Sequence, residues 1–138
     1  MIDKTTTEGT SPFAYLANEQ FVSLKTFRKS GEAVATPIWF AFDPEDDRKL
    51  YFVTDEKTGK VKRLRNNSRV QLAPCDRAGN VHGPEIEATA TFVSQTERLR
   101  ANAILAKRFG LFYRVIAFIA AFRRSQRTWL EITPSIPA

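Results

Sequence analysis

The chain has 138 residues, 43% hydrophobic and 26% charged. These are ordinary proportions for one globular domain, and they exclude a disordered, collagen-like or low-complexity chain. Its single cysteine, Cys75, excludes an intramolecular disulfide framework, and its single histidine, His82, argues against a His-rich metal centre or a Ser-His-Asp triad. The net charge of +6 asks for an anionic partner: nucleic acid, a membrane surface or a phosphorylated small molecule.

The N-terminal stretch is polar, carries acids and lacks the apolar core of a signal peptide. Residues 1–10 are expected to form a flexible tail ahead of one domain spanning 11–138. The longest apolar run, residues 115–122, is bounded by Arg114 and by Arg123-Arg124. A membrane span needs about 20 residues, so a cytoplasmic protein with no transmembrane segment is expected.

Ser11-Pro12 predicts a helix start, with a hydroxyl before a proline, and a short helix to about Asn18. Residues 21–27 alternate as a strand does. Lys29-Ser30-Gly31 reads as a hairpin turn. Residues 33–42 read as a second strand interrupted at Pro37, which places that residue at a sheet edge or a bulge. Residues 43–47 read as an exposed acidic turn and 50–54 as a third strand. Residues 58–66, with Val61 and Leu64 three apart, read as a short helix capped by Thr58. Strands follow at 69–74 and 85–93, separated by a turn at Arg77-Ala78-Gly79-Asn80. A helix from Gln95 should stop at Gly110. Residues 111–124 read as another helix and 128–133 as the last strand, closed by Pro134. Hairpin-linked strands with few helices predict an α+β, mainly β fold: an antiparallel barrel with flanking helices.

The segment from Thr54 to Asn67 carries the most chemistry. It sets Thr58, Gly59 and Lys60 at the mouth of a short helix that follows a strand. Unpaired backbone N–H groups and the helix dipole favour an anion there. The threonine offers a hydroxyl, the glycine close backbone approach, and the lysine a full charge. Arg63 stands one turn on, on the same face. The second glycine and GK[ST] ending of a Walker A loop are missing. The bland alternative is a solvated basic helix face.

Read together, Thr36-Pro37-Ile38-Trp39-Phe40-Ala41, Leu50-Tyr51-Phe52-Val53-Thr54, the run from Gly59 to Val70 and Ala73-Pro74-Cys75-Asp76-Arg77 form an ordered series. The series resembles the pyridoxamine 5′-phosphate oxidase-like, FMN-binding split barrels, and more narrowly the branch that uses the deazaflavin coenzyme F420. Lys107-Arg108-Phe109-Gly110 and the final Leu130-Glu131-Ile132-Thr133-Pro134 match that branch too, so the resemblance spans roughly residues 12 to 135. It implies a homodimer with FMN or F420 in a groove at the subunit interface, and hydride transfer to a small organic acceptor. The implied cofactor-binding residues are Thr36, Pro37, Ile38 and Trp39 beside the ring, Thr54 at a strand end, and Lys57, Thr58, Gly59, Lys60 and Arg63 around the phosphate. Gly83-Pro84 falls where the partner subunit contributes. The oxidase proper has arginines at the positions of Gly59 and Thr36, and their absence points away from pyridoxamine phosphate oxidation. The extra charge at Lys57, Lys60, Lys62 and Arg63 suits a longer deazaflavin with an acidic tail. The resemblance nominates no catalytic acid or base and implies no metal.

Other residues carry two readings each. Cys75 is a small core residue or a redox thiol. His82 is a solvated loop residue or a proton donor. Trp39 stacks on a ring or closes the core, and Trp129 belongs in the core. The apolar, basic-flanked helix at 111–124 packs on the barrel or a partner, or touches a membrane or covers a substrate. Three functions compete: an oxidoreductase, a non-catalytic FMN/F420-binding or carrier protein, and an anionic membrane or nucleic-acid binder. Against nucleic acid, the bases fall in two separated clusters and the aromatics face the core.

Overall fold

The computed structural model describes residues 11–123 and 126–135; the expected tail at 1–10 and Arg124 lie outside them. Seven strands form one antiparallel sheet: β1 (Phe21–Phe27), β2 (Ala33–Trp39), β3 (Ala41–Asp43), β4 (Asp46–Asp55), β5 (Arg69–Cys75), β6 (Ile86–Phe92) and β7 (Arg127–Pro134), with α1 (Gly59–Asn66) and α2 (Gln95–Phe122) beside them. The spatial order is β2-β1-β5-β6-β7-β4-β3. The strands β2 and β3 lie at opposite edges, yet only Phe40 separates them in the chain. The sheet is therefore rolled until its edges meet, as the split-barrel expectation required.

Alternation explains the inside of the roll. Val22, Leu24, Leu50, Phe52, Leu72, Leu130 and Ile132 are fully buried there with Phe40. A second cluster of Ala41, Tyr51, Ala101, Leu105, Tyr113 and Trp129 lies between the sheet and α2, with Trp129 in it as expected. Pro37 sits in the edge strand β2 opposite Ser23, where no second neighbour needs its missing N–H.

Three expectations change. The helix after Ser11 is one 3-10 turn, Ala14–Leu16. Ser11 Oγ accepts from the Phe13 N–H and donates to the Asp47 carbonyl, and so short a segment cannot propagate an α-helix. The strand at 33–42 breaks at Phe40 instead of Pro37, because the chain changes sheet edge there. The acidic stretch is not one exposed turn. Asp43 is buried, and Asp46 and Asp47 already belong to β4. Asp43 accepts both guanidinium nitrogens of Arg100, at 2.6 and 2.8 Å, and the Tyr51 hydroxyl at 3.0 Å. These charged hydrogen bonds hold its carboxyl far below the usual carboxylate range, with Arg100 the largest cause. Two buried layers run through the described residues, and no helix among those described is long and apolar enough to cross a membrane.

The stop at Gly110 appears as a sharp break inside α2, with φ 60° and ψ −135°. No atom lies within 4 Å of where a Cβ would stand. Gly110→Ala is therefore opposed by backbone strain alone, and should cost about 1–3 kcal/mol in urea unfolding. Asp43→Asn should cost about 1.5–3 kcal/mol at neutral pH, since Arg100 keeps partial solvent access. A depressed carboxyl contributes stability above its unfolded pKa of about 3.9 and loses it as the pH falls below that value. The parent protein should therefore lose stability steeply on acidification below about pH 4, and the Asn variant less steeply; parallel acid-unfolding curves would contradict the assignment.

Candidate functional site

The strand β3 pairs with β4 only as far as Ala41 opposite Tyr51. The end of β4 beyond Tyr51 is left uncovered by β3, and the end of β2 faces it across the seam. A cavity of about 280 Å³ opens at this split. Pro37, Ile38 and Trp39 line one side, Val53 and Thr54 the other, and Phe21, Lys60, Arg77, Leu105, Phe109 and Tyr113 complete it. The Trp39 ring stacks on Phe109 at 5.1 Å and 24° and meets Phe112 at 4.8 Å. The indole thus forms an aromatic wall together with α2; it is half-buried and belongs to neither core cluster. The Tyr113 hydroxyl donates to Asn102 Oδ1.

Cations gather at one end. Lys60 occupies the first turn of α1, half-buried at the cavity edge. Burial and the neighbouring Arg63 charge push its pKa down. Burial and the Arg28 charge push Arg63 down in turn. Neither Lys60 nor Arg63 makes an ion pair among the described residues. Arg63 Nε donates to Thr26 Oγ1 at 2.6 Å, and its Nη1 lies 2.8 Å from where a Cβ on Gly59 would stand. Gly59 is thus the residue that lets this guanidinium fold back over the helix start.

Thr58 stands at the N-cap position, but its hydroxyl caps nothing. Its Oγ1 is buried and unpartnered. The nearby backbone is satisfied by Asp55 instead, which takes the Thr58 N–H on its carbonyl and the Lys57 N–H on its carboxylate. Thr36 Oγ1 is likewise buried and unpartnered in β2. Of the sequence-predicted residues, Pro37, Ile38, Trp39, Thr54 and Lys60 line the cavity. Thr58, Gly59 and Arg63 cluster at the helix start beside it. Thr36 adjoins Pro37 without lining it, and Lys57 is exposed.

Arg77 reads in the sequence as a turn residue and as the end of the family-like series, not as a site residue. It reaches the cavity because the turn closed by Asp76 and Asn80 folds Gly79, at φ 93°, against Pro37. Phe109 and Tyr113, four apart across the Gly110 break, read in the sequence as helix residues, and only the substrate-covering reading of residues 111–124 points toward a cavity. Nothing in local spacing marks these contacts. Cys75 is buried, and burial, with Asp76 and Glu19 nearby, pushes its thiol pKa up. His82 is exposed, with Nε2 2.9 Å from Glu19 Oε1, away from the cavity lining. No group of three or more His, Cys, Asp or Glu gathers among the described residues.

A family model described as pyridoxamine 5′-phosphate oxidase matches residues 13–135. The chain belongs to this family. Members bind flavins, and the rolled sheet is the family's split barrel. Solved structures share the fold at low identity. HutZ, the heme storage protein from Vibrio cholerae, matches with a TM-score of 0.65 at 12% identity, over 87% of this chain and 84% of that one. A putative pyridoxamine 5′-phosphate oxidase from Listeria innocua matches at 0.61 and 16%, over 90% of each chain. An F420 reductase matches at 0.53 and 16%, over 91% and 95%. No curated protein matches the sequence.

A buried thiol with a raised pKa is a poor nucleophile. Cys75 should react with a thiol reagent at least about tenfold more slowly in the native protein than in urea. Equal rates would return it to the list of redox candidates.

Proposed function

We propose that this split barrel is a flavin- or deazaflavin (coenzyme F420)-dependent oxidoreductase, with the cofactor held in the seam cleft at a homodimer interface. One observation carries the reading. Lys60, pushed down by burial and by the Arg63 charge, and Arg63, pushed down by burial and by the Arg28 charge, make no ion pair among the described residues, and they stand beside a buried Thr58 hydroxyl that has no partner. Uncompensated charge and an orphaned hydroxyl are costly unless an anion satisfies them. The donor set fits a phosphate. The aromatic wall of Trp39 and Phe109 fits a flat ring.

The bound cofactor supplies the hydride chemistry, and the protein supplies position and electrostatics. Thr58, Gly59, Lys60 and Arg63 hold the phosphate end, with Lys57 available to a longer acidic tail. Thr36, Pro37, Ile38, Trp39 and Thr54 frame the ring. Leu105, Phe109 and Tyr113 keep water from that end of the cleft. The titratable groups lining the cavity are Lys60, Arg77 and Tyr113, and the Tyr113 hydroxyl is already given to Asn102. No protein acid or base is assigned, and a small organic acceptor would receive the hydride. The same residues also serve a protein that holds FMN or F420 without turnover. Reoxidation of the reduced, loaded protein by added acceptors separates the two.

Titration with FMN and with F420, followed by fluorescence, tests the site. Lys60→Ala should weaken binding by about 1.5–3 kcal/mol, the worth of a charged hydrogen bond. A bound phosphate favours protonated Lys60. Affinity should therefore fall as the pH rises through that lysine's depressed pKa, and the alanine variant should lose this component. Unchanged affinity in Lys60→Ala would remove the residue from the site, and failure of both cofactors to bind would remove the reading.

A further inference from the structure

The half of α2 beyond Gly110 buries its small side. Tyr113, Ala117 and Ala120 turn toward the domain, while Leu111, Val115, Ile116, Phe118, Ile119 and Phe122 are exposed. At 100° per residue these six span an arc of about 160°. Leu111 is 76% exposed, Phe118 72% and Phe122 84%. A helix made only to pack on the barrel would turn this wide apolar arc inward. A contiguous exposed patch of this kind marks an interaction surface.

Charge identifies the occupant. Between Glu97 and Glu131 the sequence has no acid, while bases stand at Arg98, Arg100, Lys107, Arg108, Arg114, Arg123, Arg124 and Arg127. Lys107, Arg114 and Arg123 are exposed and make no ion pair among the described residues. A twofold contact with a second copy through this face would set bases against bases. An anionic surface relieves them, and long basic side chains reach headgroups while the apolar arc enters the acyl boundary.

We propose that the outward face of residues 111–122 docks in the plane of an anionic lipid bilayer. The segment is about 17 Å long at 1.5 Å per residue, well under the roughly 30 Å of a hydrocarbon core, so it lies on the membrane and does not cross it. Phe109 and Tyr113 belong to the cavity wall, so docking holds the cleft beside the lipid surface.

Sedimentation of the full chain with vesicles tests this. It should sediment with phosphatidylcholine vesicles containing phosphatidylglycerol, much less with phosphatidylcholine alone, and be released by salt. The double substitution Phe118→Ser, Phe122→Ser touches only exposed side chains and should lower vesicle binding by more than about tenfold, with an unchanged circular dichroism spectrum. Arg114→Gln with Arg123→Gln should remove most of the preference for anionic vesicles. Absence of binding to anionic vesicles overturns the proposal, as does equal binding by the double Phe variant. A parent protein that binds no vesicles but forms a dimer that the Phe variant splits overturns it in favour of a second copy.

Discussion

A one-residue link governs the shape of this molecule. The strand β2 ends at Trp39 and β3 begins at Ala41, so the two edges of a seven-stranded sheet lie no more than about 7 Å apart at that point. Phe40 bridges them and is fully buried, so the crossing is fixed by core packing and not by a free loop. The edges then diverge. The strand β3 is only three residues long and begins at Ala41 opposite Tyr51, leaving the end of β4 beyond Tyr51 uncovered. The cleft is a consequence of closing the sheet with so short a strand.

Electrostatics distinguish the two flanks of that closure. On one, Asp43 takes both nitrogens of Arg100 and the Tyr51 hydroxyl, and the Tyr51 phenol is pushed above its ordinary range by burial and by Asp43. These charges are settled within the protein, and they pin α2 to β3 and β4. On the other flank, Lys60 and Arg63 make no ion pair among the described residues, the neighbouring Arg28 is paired with Glu32, and two threonine hydroxyls are buried without partners. A domain that satisfies a buried aspartate so fully has not left those cations unmatched for want of acids. The contrast is why we propose the second group as the binding site and read the first as structural.

Much of the fold was legible from local pattern. Alternation located β1 because one face of it packs into the core. The proline marked an edge, and the glycine marked the break in α2, because both follow from backbone chemistry that neighbours cannot override. The basic helix start was legible for the same reason. The burial of Asp43 was not, since an acid in the Asp-Pro-Glu-Asp-Asp run reads as solvated until the Arg100 guanidinium arrives from far along the chain. Nor was the idle hydroxyl of Thr58, because Asp55 takes over the nearby N–H groups. Arg77 reaches the cavity through the tertiary position of a turn, which no spacing rule encodes.

The break at Gly110 ties these parts together. Before it, Ala101 and Leu105 press α2 onto the outside of the sheet. After it, the helix takes a new direction, yet Phe112 still meets the Trp39 ring and Tyr113 still lines the cavity. Trp39 is therefore gripped from both sides of the break, by Phe109 before it and Phe112 after it. The second half of the helix cannot pivot about Gly110 without loosening one of those contacts and opening the aromatic wall. The same element that shows its apolar face to the surroundings thus sets the width of the cleft, and whatever fixes that face also fixes the wall against which a flat ring must fit.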